Sequence, residues 1–123
     1  MSIWIDFLEF IKVRGHDTGK LEKRWQYTIK RLESPNVADW KLAVIEAEAL
    51  TEEVLARMGF GGESFGERLK KMKPEQLPSL VNLTNAHQVR NNIVHDPDYR
   101  LDINEASKII AVYEKALQEL DAL

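Results

Sequence analysis

The C-terminal stretch constrains the fold most. From Asp102 onward, Ala106, Ile109, Ile110, Tyr113, Ala116, Leu117 and Leu120 recur three and four residues apart. That repeat gathers apolar side chains on one face of an α-helix. It returns upstream, in Leu21, Trp25, Thr28, Ile29 and Leu32, and again in Trp40, Ala43, Val44, Ala47, Leu50, Val54 and Leu55. No stretch alternates apolar with polar residues as a half-buried strand does, and β-branched residues are scattered among the good helix formers Ala, Leu, Glu and Lys. The predicted class is all-α.

The boundaries between these repeats carry their own chemistry. Gly15 to Gly19, "GHDTG", breaks an N-terminal helix from the next. Ser34-Pro35 reads as an N-cap followed by proline at the first helical position. Gly59 reads as a C-cap. Ser64 and Glu67 form a capping box for a short helix that stops near Pro74, and Asp102 with Glu105 repeats the pattern. Pro97 ends the helix before it. The expected elements are main helices over 20–33, 35–58, 77–95 and 102–121. The short loops between them imply an antiparallel four-helix bundle. An extra N-terminal helix and a short connecting helix complete it. Residues 1–19 form the N-terminal amphipathic helix and linker, and residues 20–123 the bundle.

At 123 residues the chain has room for one domain. The net charge of −3 argues against a strongly basic nucleic-acid binder. It is unevenly spread: net +2 over residues 1–35, −3 over 36–58, +2 over 59–73, zero over 74–95 and −4 over 96–123. A polyanion would approach the first or third block and avoid the last. With no cysteine, disulfides and thiolate metal sites are excluded. The start, "MSIWIDFLEFIKVRG", has no basic leader region and no small-residue cleavage site. Its apolar run is broken by Asp6 and Glu9 and is too short to span a bilayer. Ile3, Trp4, Phe7, Leu8 and Ile11 follow helical spacing, as expected of a helix packed on the domain or on a second copy. A cytoplasmic location without membrane association is expected.

The stretch "VRNNIVHDPD", residues 89–98, is the unusual one. At 3.6 residues per turn, Thr84, His87, Arg90, Asn91 and His95 share one side of the helix, while Ala86, Val89 and Ile93 form a core stripe. The polar side can face solvent, another helix or a second subunit. The plain account is a solvated face, with a histidine placed favourably at a helix C-terminus and Arg90 bridging to Asp96 or Asp98. Two adjacent asparagines in a helix interior, Asn91 and Asn92, have poor propensity for that place.

"RNNIVH", Arg90-Asn91-x-x-x-His95, resembles the Arg-x(4–6)-His motif of HEPN domains, in which a polar residue commonly follows the arginine. The resemblance extends over about residues 20–121. It includes the motif's place on the penultimate helix and the closing "HDPDYRLDINEASKIIAVYEKAL", which is similar to the end of small bacterial HEPN-like proteins. It implies a HEPN-like four-helix bundle acting as a homodimer, and a metal-independent endoribonuclease, in a toxin or defence setting, that leaves 2′,3′-cyclic phosphate and 5′-hydroxyl ends. The implied catalytic residues are Arg90, Asn91 and His95. Histidine exchanges protons near neutrality. Arginine stays charged and holds phosphate oxygens. Asn91, one turn before His95, can orient its ring or the phosphate. No cofactor is called for. The implied partners are a second copy, RNA but not DNA, and, for toxin-like members, an antitoxin or a nucleotidyltransferase. Members paired with nucleotidyltransferases often carry a tyrosine two residues after the histidine, where this chain has Pro97. The alternative is a HEPN-like module that binds nucleotide, RNA or protein without catalysis.

The remaining clusters read more plainly. Glu46, Glu48, Glu52 and Glu53 lack the Glu-x-x-His pattern of bundle metal sites and are expected on a solvated face, with at most one reaching Arg90. No metal site is expected. Asp96, Asp98 and Asp102 lack the glycine and terminal glutamate of a calcium loop and read as a capped turn. Arg68, Lys70, Lys71 and Lys73 suit a helix C-terminus. RNA backbone contact is their functional alternative, with Lys70, Lys71 and His87 as the substrate-binding candidates. "GFGGESFG", residues 59–66, lacks the lysine of a phosphate loop and reads as a linker.

Overall fold

A computed structural model describes residues 19–123. The expected N-terminal helix over residues 3–11 lies outside the described residues. The described chain is all-helical: α1 over residues 19–30, running into a 3-10 turn at Arg31–Glu33, then α2 at Val37–Arg57, α3 at Phe65–Lys70, α4 at Leu80–His95 and α5 at Ile103–Glu119. No strand occurs among the described residues. None of the described helices is long and apolar enough to cross a membrane.

The expected caps form at three boundaries. α2 ends in a Schellman motif. Gly59 takes φ +91, its N–H reaches Ala56 O at 3.1 Å, and the N–H of Phe60 reaches Leu55 O at 3.0 Å. A side chain at Gly59 would be strained there. Ser64 Oγ accepts from the N–H of Glu67 at 3.2 Å, and Glu67 in turn accepts from the N–H of Glu63. Asp102 Oδ1 accepts from the N–H of Glu105 at 2.7 Å. Asp96 Oδ1 accepts from the N–H of Asp98 at 3.0 Å, so the acidic run is a capped turn.

Two boundaries differ from expectation. Ser34-Pro35 does not cap α2. The helix begins at Val37 after Asn36, and Ser34 instead bonds the N–H of Asn36 and the carboxylate of Asp39, while its carbonyl accepts from the Trp40 indole at 2.7 Å. The 3-10 turn leaves Ser34 extended, so its side chain serves the linker rather than the helix start. The expected helix over 77–95 begins at Leu80 rather than 77. Ser79, buried before it, donates both its N–H and its hydroxyl to Glu119 at the end of α5, at 2.9 and 2.8 Å. A carboxylate from a distant helix thus serves the start of α4, where negative charge suits the helix dipole.

α2 packs on α5 and α4, α4 on α5, and α3 on α4. Val44, Ala47, Leu55, Leu83, Ala86, Tyr113 and Leu117 are fully buried between them. Trp25 of α1 is buried and donates to Glu114 of α5 at 2.9 Å. Arg68 holds the glycine-rich loop by donating to Phe60 O at 2.5 Å.

Candidate functional site

The sequence of α2 places one carboxylate inside the core. Val44, Glu48, Thr51 and Leu55 follow 4-3-4 spacing, so Glu48 occupies an apolar-stripe position. Its residue is 2% exposed. The expected solvated glutamate face is therefore corrected at Glu48, which is the one of the four that reaches Arg90. The other glutamates lie further out: Glu46 pairs with Arg31 and accepts from Thr28 Oγ1 at 3.3 Å, and Glu53 pairs with Arg24 at 2.6 Å.

Three groups converge on Glu48. Oε1 accepts from the hydroxyl of Tyr113 on α5 at 2.9 Å. The same oxygen lies 2.9 Å from Nδ1 of His87 on α4. Oε2 stands 3.2 Å from Nε of Arg90, a charge pair set off the line of a hydrogen bond. A buried carboxylate requires such partners. A carboxylate only accepts, so the His87 Nδ1 carries the proton and Nε2 accepts from Asn91 Nδ2 at 3.4 Å. Asn91 Oδ1 then accepts from Arg90 Nη1 at 3.2 Å. The chain Tyr113–Glu48–His87–Asn91–Arg90 is consistent in donors and acceptors throughout. Burial pushes the Tyr113 phenol well above its ordinary value, and the charge and hydrogen bond of Glu48 push it further.

The polar side of α4 is thus divided. His87, Arg90 and Asn91 come together and turn toward α2. Arg90 bridges to neither Asp96 nor Asp98 but to Glu48. His95, the last residue of α4, is exposed and makes no hydrogen bond among the described residues. Lys70 and Lys71 are exposed at the end of α3. Lys70 and His87 both line a cleft of ≈ 550 Å³ between α3 and α4. Among the described residues, no three His, Asp or Glu side chains are grouped so as to hold a metal ion.

Tyr113 was not a candidate in the sequence, and Glu48 was only one of four glutamates of which at most one was expected at Arg90. The signal for Glu48 was the charged residue within the 44-48-51-55 stripe. Tyr113 carried none beyond its hydroxyl, because any core tyrosine needs a partner for it. Comparison of the chain with protein-family models, curated proteins and solved structures gave no match.

Proposed function

We propose that the chain is a HEPN-like four-helix bundle that, as a homodimer, cleaves RNA without a metal ion. The observation that carries this reading is the setting of Arg90. Its guanidinium is held by Asn91 and by buried Glu48, its side chain keeps 32% exposure, and the same helix ends in exposed His95. A cation fixed in place before substrate arrives loses little on meeting phosphate oxygens.

In this reading His95 takes the proton of the ribose 2′-hydroxyl. The 2′-oxygen bonds to the adjacent phosphorus as the bond from phosphorus to the 5′-oxygen breaks. That oxygen leaves with a proton from the imidazolium of a second copy's His95. The products are a 2′,3′-cyclic phosphate and a 5′-hydroxyl. Two copies supply one base and one acid, and DNA lacks the attacking hydroxyl.

A specific observation favours a second reading, a binding module without catalysis. Glu48 engages His87 and Arg90 together, so both side chains serve tertiary structure. Incubation of RNA with wild type and His95→Ala in EDTA separates the two. Cleavage by wild type and its loss in the variant supports the ribonuclease. No cleavage by either supports the module.

A further inference from the structure

We infer that the side-chain amide of Asn91 passes the protonation state of His87 to Arg90, which is tethered while His87 is neutral and released when His87 is charged. With His87 neutral, its Nε2 accepts from Asn91 Nδ2 at 3.4 Å, and Asn91 Oδ1 accepts from Arg90 Nη1 at 3.2 Å. The amide is oriented by both neighbours at once. Glu48 holds Arg90 by charge at 3.2 Å, off the line of a hydrogen bond. The aligned bond of the guanidinium among the described residues is therefore the one to Asn91. The inference does not rest on the ribonuclease reading, because it concerns how Arg90 is held, whatever anion it meets.

A second proton on His87 reverses one end of this chain. Nδ1 keeps its proton toward Glu48 at 2.9 Å. Nε2 changes from acceptor to donor, and a donor does not pair with the Nδ2 donor of Asn91. Gly66 of α3 packs against the same edge of the ring, where a Cβ atom would come within 3.1 Å of Nε2, and it brings no side chain to accept the new proton. Asn91 meets that proton by turning its amide over, so that Oδ1 accepts from Nε2. Its Nδ2 then faces Arg90 Nη1, where both groups only donate, and the tether is lost. Histidine is the side chain that changes charge between about pH 5 and 8, and His87, 15% exposed at its side chain, lines the α3–α4 cleft, which gives the proton a route from water. The helices packed on α4 each bring charge or a titratable group to the ring. α2 brings Glu48, and α5 brings Tyr113 to the same oxygen. α3 brings Glu67 and Lys70 to the lining of the cleft, while its Arg68 turns to Phe60 O and Glu52. α4 itself brings Arg90, a like charge to protonated His87.

The test titrates the full 123-residue chain, isotope-labelled, by NMR from about pH 5 to 8. A His95→Gln background removes the other histidine of α4 from the titration. The ring nitrogens of His87 report its tautomer and charge. The Nη signals of Arg90 report rotation of the guanidinium, whose rate reads the tether rather than the field of a nearby charge. Above the His87 midpoint, Nδ1 should carry the proton and Arg90 should rotate slowly. Below it, rotation should be about two- to tenfold faster, the factor that one net hydrogen bond supplies. In Asn91→Ala, Arg90 should rotate fast at both ends of the range while His87 still titrates. In Asn91→Asp, whose carboxylate only accepts, it should stay slow at both ends. The proposal is overturned if neutral His87 carries its proton on Nε2, if His87 keeps one charge state throughout, or if the Arg90 rate does not change at the His87 midpoint. It is also overturned if Arg90 in Asn91→Ala follows His87 as in wild type.

Discussion

Oε1 of Glu48 and Nδ1 of His87 lie 2.9 Å apart, although the residues stand 39 positions apart in the chain. The contact joins the middle of α2 to the middle of α4, and Tyr113 brings α5 to the same oxygen. Three helices are thereby locked in register by one carboxylate, and Arg90 is oriented by its other oxygen.

Removing that carboxylate should therefore cost more than a surface change. Glu48→Ala leaves Tyr113 and His87 without their acceptor and opens space in the core. A destabilisation of about 3–5 kcal/mol is expected, the range for breaking a buried charge pair, with the partial exposure of Arg90 favouring the lower end. Glu48→Gln keeps the shape and one acceptor and should cost about 1–3 kcal/mol. Urea denaturation midpoints at constant m measure both. A loss under half a kcal/mol for Glu48→Ala would mean that the network holds nothing together.

Tyr113→Phe deletes one hydroxyl from the same oxygen. It should cost about 0.5–1.5 kcal/mol. Combined with Glu48→Ala, the two losses should fall short of their sum, because both remove the same bond. Strict additivity in a double-mutant cycle would show that Tyr113 and Glu48 do not interact in solution.

Alkaline stability should depend on Tyr99. Its hydroxyl donates to Glu105 at 2.6 Å, and that hydrogen bond, with burial and the carboxylate charge, raises the phenol from 10.0 to about 12. The unfolded chain loses the proton first. The contribution is thus fully present below pH 10.0 and is lost as pH rises toward about 12. Glu105→Gln should bring the Tyr99 phenolate absorbance to lower pH, read in a Tyr27→Phe background. An unchanged titration would remove Glu105 as the cause.

The cap of α5 gives a purely local prediction. Asp102 supplies the first N–H acceptor of the helix, and Asp102→Ala should cost about 0.5–2 kcal/mol. Asp102→Asn should recover most of it. Thermal unfolding of the three proteins decides whether the cap contributes as its geometry indicates.

The ribonuclease reading makes the most exposed prediction. RNA should be cut in EDTA and DNA left intact. His95→Ala should lower the rate about 10²–10⁴-fold without loss of stability, since His95 is exposed. Arg90→Ala should lower both activity and stability, and Arg90→Lys should restore charge but not the fixed fork. End-group analysis must find cyclic phosphate. Any other product, or equal rates for wild type and His95→Ala, sinks the assignment of His95.

Sequence alone determined the helices of this protein, because their causes are local. The apolar stripe of α5, the capping contacts at Ser64 and Asp102 and the turn at Gly59 depend on residues within one or two turns of each other, so spacing suffices to read them. Ser34 shows where this stops, since a 3-10 turn ahead of it redirected a side chain that propensity places at a cap. The site was legible only on α4. Spacing placed His87, Arg90 and Asn91 on one side of the helix, but not what that side meets. Tertiary packing decided that it meets Glu48 and Tyr113, and that His95 lies beyond them in solvent. The physical reason is burial. A charged residue at a stripe position can turn to water or enter the core, and it enters only when partners on other helices arrive to satisfy it. Here α4 and α5 bring Tyr113, His87 and Arg90 to one carboxylate, and no property local to α2 contains that meeting.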